Sequence, residues 1–161
     1  MNKNRHSYLA GGTYFFTACL KDRDGRSVAE GIDVLRGVYA SVVQDHPVTC
    51  HAMVVLPDHI HAVWTLPPRD TDVTTWWKSI KSAFSSRLAA MPHRNDSKRR
   101  WGQADVRHCQ FWVHAIRNDA DFQRHVDYCH FDPVKHGLVR RPEDWAFSTV
   151  HLAPSSDMIL A

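Results

Sequence analysis

Hydrophobic positions along the chain recur with two periods, and the switch between them marks out the elements. An apolar-rich run from Thr13 to Leu20, entered through Gly11 and Gly12, predicts a first strand. Asp22-Arg23-Asp24-Gly25 reads as a loop, after which Ser27 and Glu30 form a capping box for a helix. Val28, Ile32, Leu35, Tyr39, Val42 and Val43 line one face of that helix, and Pro47 closes the segment. Two β-rich runs follow, Thr49 to Leu56 and Ile60 to Leu66. Pro57-Asp58 joins them as a hairpin, with His59 at the mouth of the second strand and Pro67-Pro68 at its end. A second helix is predicted from about Thr75 to Ala90, with Trp77, Ile80, Phe84 and Leu88 on its apolar side. A polar, basic loop from Met91 to Gly102 leads to a strand over Arg107 to Ala115. Asn118 and Asp121 then cap a third helix with the apolar stripe Phe122, Val126 and Cys129, brought to an end by Pro133 and Gly137.

The order β-α-β-β-α-β followed by a helix predicts an α+β fold of ferredoxin-like arrangement. In it an antiparallel sheet has helices on one face and leaves the other available for a ligand. The 161 residues, 43% hydrophobic and 23% charged, suit one domain, taken as residues 1–150 with a short tail at 151–161. The longest apolar runs, Met53 to Leu56 and Ala62 to Leu66, are too short to span a bilayer. Met1 to His6 has no apolar stretch behind it to act as a secretory signal. Four cysteines without a C-x-x-C pair argue against a zinc ribbon or a disulfide framework. A cytoplasmic protein with no membrane association is therefore expected. The net charge of +3 permits a polyanionic partner without implying one. Twelve histidines and six tryptophans are many for this length, and they direct attention to metal ligation and ring stacking.

Three features carry possible chemistry. In Leu56-Pro57-Asp58-His59-Ile60-His61 the two histidines are two apart on a strand, so their imidazoles stand on one side while Ile60 faces the other layer. They are placed to share a metal ion, but in a chain this rich in histidine the spacing alone favours a pair of surface or hydrogen-bonded histidines. Tyr128 lies roughly 120° around its helix from the apolar stripe, on the flank it shares with Asp121, His125 and Asp132. A phenol beside a carboxylate and off the apolar face reads as a site; Pro133 leaves the helical phase of Asp132 open. From Trp76 to Trp101 the chain holds seven basic residues (Lys78, Lys81, Arg87, Arg94, Lys98, Arg99 and Arg100) against the single acid Asp96. With Trp76, Trp77 and Trp101 between them, they suit a surface that tracks a nucleic-acid backbone and stacks on bases. The other reading is a solvated helix face with tryptophans in the core, where Trp77 is expected in either case.

Several stretches together resemble the REP-associated tyrosine transposases, a group of HUH single-strand endonucleases related to the Y1 transposases. They are Gly11 to Thr17, Val54 to His61, Phe111 to Arg117, His125 to Leu138 with Tyr128 and Asp132-Pro133-Val134-Lys135-His136-Gly137-Leu138, and Asp144 to Thr149. The resemblance spans nearly the whole chain. It implies that His59 and His61 are the metal-binding pair and Tyr128 the nucleophile. The family's third ligand, four residues after the tyrosine, is typically asparagine; here it is Asp132, a harder donor suited to Mg²⁺ or Mn²⁺. The implied activity is cleavage and rejoining of single-stranded DNA beside REP-type hairpins through a 5′-phosphotyrosine intermediate. Lys78, Lys81, Arg87, Lys98, Arg99 and Arg100 are the expected nucleic-acid contacts. No small-molecule cofactor is expected, and a monomer is favoured over a dimer. The proton acceptor for Tyr128 stays open among metal, water and His125. Two other activities remain to be separated from this one: a hydrolase that activates water, and a non-catalytic nucleic-acid-binding module.

Overall fold

The computed structural model describes residues 9–19, 31–90 and 111–152. The described elements are β1 (Thr13–Cys19), α1 (Ile32–Asp45), β2 (Thr49–Val55), β3 (His59–Thr65), α2 (Val73–Ala89), β4 (Phe111–Ala115) and α3 (Asp119–Lys135). Two short 3-10 turns follow at Pro142–Asp144 and Thr149–His151. The four strands form an antiparallel sheet in the order β2-β3-β1-β4, the expected ferredoxin-like pairing. The expected capping box at Ser27 and Glu30, the loop at 22–25 and the first residues of the fourth strand lie outside the described residues.

Alternation along the strands builds two apolar layers. Tyr14, Phe16 and Ala18 of β1, Met53 and Val55 of β2, and Ile60, Ala62 and Trp64 of β3 face α1 and α2. Leu35, Val38 and Tyr39 of α1 and Trp76, Trp77, Ile80 and Phe84 of α2 close that layer. Trp77 lies flat on Trp64, ring centroids 4.9 Å apart and planes 4° from parallel. The opposite face carries Phe15, Ala52, Val54 and Val63, covered by Cys129, Phe122 and Val126 of α3. Both sheet faces are therefore apolar, which is why β2 and β3 read as nearly continuous hydrophobic runs. Each fully buried aliphatic side chain in these layers contributes about 1.5–3 kcal/mol.

Trp76 was expected among the stacking tryptophans. It is only 3% exposed, and its indole N–H donates to Asp70, so no base can reach it. Trp101 lies outside the described residues. α2 starts two residues before its expected first position because Asp72 caps it. The Asp72 carboxylate accepts from the Thr75 backbone N–H at 3.1 Å and from the Thr74 hydroxyl at 2.9 Å. The stretch from Asp144 to Thr149 works as an edge cover. Val55 N–H donates to the Phe147 carbonyl, Met53 N–H to the Thr149 hydroxyl, and the Trp145 indole to the Val55 carbonyl, so the outer side of β2 is not left open. Among the described residues no helix is long and apolar enough to cross a membrane.

Candidate active site

The polar gap in the second layer is where the site forms. Thr17 pairs with His61 and Cys19 with His59 across β1 and β3, which puts Thr17, His59 and His61 on the face that carries α3. The Nδ1 atoms of both histidines are already engaged. His59 Nδ1 is 2.6 Å from Asp58 Oδ1, and His61 Nδ1 is 2.9 Å from the Thr17 hydroxyl. Outer partners of this kind set the ring orientation and leave Nε2 for a ligand. Both Nε2 atoms converge on one atom, Asp132 Oδ2, at 3.1 Å from His59 and 3.2 Å from His61.

Asp132 reaches that position because α3 does not stop before Pro133. The helix begins at Asn118, whose side chain accepts from the Asp121 backbone N–H, and runs through Pro133 to Lys135. It ends in a Schellman cap. Leu138 N–H bonds to the Pro133 carbonyl and Gly137 N–H to the Val134 carbonyl, with Gly137 at φ +70°. Asp132 thus stays in helical phase with Tyr128, one turn later, and points into the sheet, where it is 1% exposed.

The electrostatics of this group follow from its packing. Burial opposes ionisation of Asp132. Hydrogen bonds from His59 and His61, with the charges of His61 and His136, outweigh it and hold the carboxyl well below the usual carboxylate range. The hydrogen bond to Asp132 raises the His59 imidazole above its ordinary value, against the effect of burial. Asp132 Oδ1 is buried and has no hydrogen-bond partner. Asp132 thus turns one buried oxygen, Oδ2, to a cluster of imidazole nitrogens and keeps the other without a donor, a donor set that suits a cation. The residues fit a divalent metal. His59, Asp132 and His136 each offer a donor atom within 4.8 Å of the others, and His136 Nε2 is 3.6 Å from Asp132 Oδ2.

Tyr128 is brought to the same place. Its ring is 39% exposed and meets the His61 ring edge-on, centroids 5.2 Å apart, and Phe15 likewise at 5.8 Å. Lys135 Nζ lies 3.5 Å from the Tyr128 hydroxyl and 4.8 Å from the ring centroid. The side chains singled out at Tyr128, His59, His61 and Asp132 therefore form one cluster. The basic residues do not join it: Lys78, Lys81 and Arg87 sit on α2, across the sheet, with Lys81 Nζ 5.6 Å from the ring of Phe111 at the β4 edge. Lys98, Arg99 and Arg100 lie outside the described residues. The sequence by itself points to no role for Lys135 or His136; the spacing of His136 from Asp132, one helical turn, is the available signal.

A ferredoxin-like sheet that presents a His-x-His pair beside a tyrosine on a packed helix is the arrangement of the tyrosine transposases. Comparison with known proteins agrees. The chain is 40% identical over 151 residues to the REP-associated tyrosine transposase of Escherichia coli (strain K12), covering 94% of this chain and 84% of that one. It is 32% identical over 152 residues to a Haemophilus influenzae relative described as a putative REP-associated tyrosine transposase, covering 94% and 86%. The solved structure of a REP-associated tyrosine transposase bound to a REP hairpin matches with a TM-score of 0.78 at 35% identity, over 100% of this chain and 94% of that one. No protein-family profile matches the chain. The protein belongs to the REP-associated tyrosine transposases, and it is an enzyme of the transposase kind.

Proposed function

We propose that this protein cuts and rejoins single-stranded DNA beside REP-type hairpins, with Tyr128 as nucleophile and a divalent metal, Mg²⁺ or Mn²⁺, held by His59, His61 and Asp132. The observation that carries the reading is the convergence of both Nε2 atoms on Asp132 Oδ2, with Oδ1 unpartnered and the Tyr128 ring beside His61. A bound divalent ion supplies Lewis-acid polarisation of the scissile phosphate.

The chain's own groups do the rest. Phe15 and His61 pack edge-on against the ring of Tyr128, a residue 39% exposed, and fix it beside the proposed metal ligands. The phenol gives up its proton as its oxygen attacks phosphorus to form a 5′-phosphotyrosine, and the bond to the departing 3′-oxygen breaks, that oxygen taking up a proton to become the 3′-hydroxyl. The phosphodiester's energy is kept in the tyrosine ester, so a 3′-hydroxyl can reverse the step and join strands without ATP. Lys135, beside the hydroxyl, is placed to meet the charge that gathers on the phosphate as the phenol attacks. Lys78, Lys81 and Arg87, across the sheet from the cut, hold phosphates of the hairpin, and Lys98, Arg99 and Arg100 of the same basic stretch add to the backbone contacts.

The test is incubation of a labelled single-stranded hairpin oligonucleotide with protein and Mg²⁺ or Mn²⁺. The expected result is a denaturation-resistant protein–DNA band that Tyr128→Phe reduces by about 10³-fold or more while the fold survives. Cleavage that persists in Tyr128→Phe would show a water-activating hydrolase instead. Function unchanged by His59→Ala with His61→Ala would show a non-catalytic binding module.

A further inference from the structure

A second group of histidine and carboxylate side chains lies on the same sheet face: His114 of β4 with Asp121 and His125 of α3. The oxygens of Asp121 are already met by donors. Oδ2 accepts the Arg117 backbone N–H at 3.0 Å and lies 2.9 Å from His114 Nε2; Oδ1 faces His125 Nδ1 at 3.3 Å and Arg124 at 3.9 Å. Asp121 thus fixes two rings, His114 through its carboxylate and His125 through its backbone carbonyl, 2.8 Å from His125 Nδ1. His114 and His125 are held nearly parallel, 22° apart with centroids at 4.6 Å.

Trp112 extends the row. It stands two residues before His114 on the same side of β4, with its ring 6.0 Å from that of His114 and 14° from parallel. The two inner rings are partly buried and fixed, while Trp112 is 55% exposed. Trp64, Trp76 and Trp77, by contrast, are all buried in the other layer. Trp112 pairs across the sheet with Thr17, and Thr17 pairs with His61. Two strand spacings, about 10 Å, therefore separate Trp112 from the metal-binding pair, with only a small threonine between them. Phe15 touches Trp112 edge-on at 6.1 Å and Tyr128 at 5.8 Å, so the exposed indole is one ring removed from the nucleophile.

We propose that Trp112 is a stacking platform for an unpaired base of the single strand next to the scissile phosphate, with His114, clamped by Asp121, as the positioning residue behind it. A flat, rigid and exposed ring at that distance from the cut accepts a base without regard to its identity, because every base offers a π-face. Arg124, beside the clamp, provides a cation for the neighbouring phosphate. The inference rests on the reading of Tyr128 as the site of DNA cleavage.

The experiment compares a hairpin carrying a single-stranded tail with the same hairpin without one, by fluorescence anisotropy. Wild-type protein is expected to bind the tailed hairpin more tightly. Trp112→Ala should weaken that binding by about five- to a hundredfold while leaving the tailless hairpin unchanged, and Trp112→Phe should keep most of the gain. An abasic residue stepped along the tail should weaken wild-type binding at one position and leave Trp112→Ala indifferent. His114→Ala should reduce the tail's contribution in the wild type and add nothing to Trp112→Ala, a non-additivity that a general loss of stability would not produce. Equal binding of the tailed hairpin by wild type and Trp112→Ala, or an abasic effect of equal size in both, overturns the platform. Wild-type protein that shows the tail effect yet forms no tyrosine adduct would overturn the cleavage reading and leave the platform standing.

Discussion

The two oxygens of Asp132 have different surroundings, and the difference decides what the side chain is for. Oδ2 is met by two imidazoles, whereas Oδ1 is buried without a donor. An unpaired buried oxygen costs about 1–3 kcal/mol unless something satisfies it, and the proposed metal ion would do so. Mn²⁺ at a hundred times its dissociation constant is expected to stabilise the wild type by about 2.7 kcal/mol, a rise in Tm that a chelator reverses. Asp132→Ala and His59→Ala should abolish the rise. Asp132→Asn should keep a weaker one, because an amide oxygen is a neutral donor of the same reach. Calorimetric titration with Mn²⁺ checks the order, and equal affinity for wild type and Asp132→Ala would refute the ligand assignment. At this scale the sequence was informative because H-x-H and Y-x-x-x-D are local spacings that strand and helix geometry turn directly into neighbours. It was silent on Lys135 and on the free oxygen of Asp132, since both depend on which groups arrive from elsewhere in the chain.

At the scale of elements, α3 is held by its ends. The Schellman cap needs a residue with positive φ at Gly137, and a Cβ there would meet nothing within 4 Å, so its cost is backbone strain alone. Gly137→Ala is expected to destabilise by about 1–2 kcal/mol, lowering Tm by about 2–8 °C in a thermal melt. α2 depends on Asp72 in a way that pH can read. Hydrogen bonds from the Thr75 side chain and backbone lower the Asp72 carboxyl below its ordinary value. Its contribution is therefore present above the unfolded value of about 3.9 and is lost as pH falls through the lower, folded one. Asp72→Ala should cost about 1 kcal/mol at pH 7 and progressively less below pH ~4, as followed by urea unfolding at both pH values. A penalty that stays the same in acid would rule out the cap. Helix positions were legible from periodicity, but their ends were not. Pro133 reads locally as a terminus. The structure carries the helix past it, since the only bond lost is the one its missing N–H would make.

Over the whole molecule, the sheet separates two surfaces. His59, His61, Tyr128 and Trp112 share one face, and the basic side chains of α2 lie behind the other layer. DNA that meets both must pass around an edge of the sheet, and β4 is the edge nearest Lys81. Replacing Lys78, Lys81 and Arg87 together with Gln is expected to weaken hairpin binding uniformly across sequences. It should also lower the slope of log affinity against log salt by about 3, measured by anisotropy over a KCl series, while Mn²⁺ affinity stays unchanged. An unaltered slope would remove α2 from the DNA path. The sequence sets Trp76 among these cations as a stacking ring and Trp77 in the core; in three dimensions both indoles turn into the core and the charges stay outside.

By itself the sequence determined the order of strands and helices, the pairing of β2 with β3, the single side on which His59 and His61 stand, and the flank of α3 that carries Tyr128. Each of these follows from periods of two or about 3.6 residues and from short connections, which act over a few positions of chain. Only the tertiary structure decided which oxygen of Asp132 stays unpaired, that His136 and Lys135 stand at the site, that Trp112 is an exposed indole and Trp76 a buried one, and that the basic helix lies across the sheet from the proposed chemistry. Those outcomes depend on contacts between elements distant in the chain, and packing, which no local pattern encodes, chooses among them.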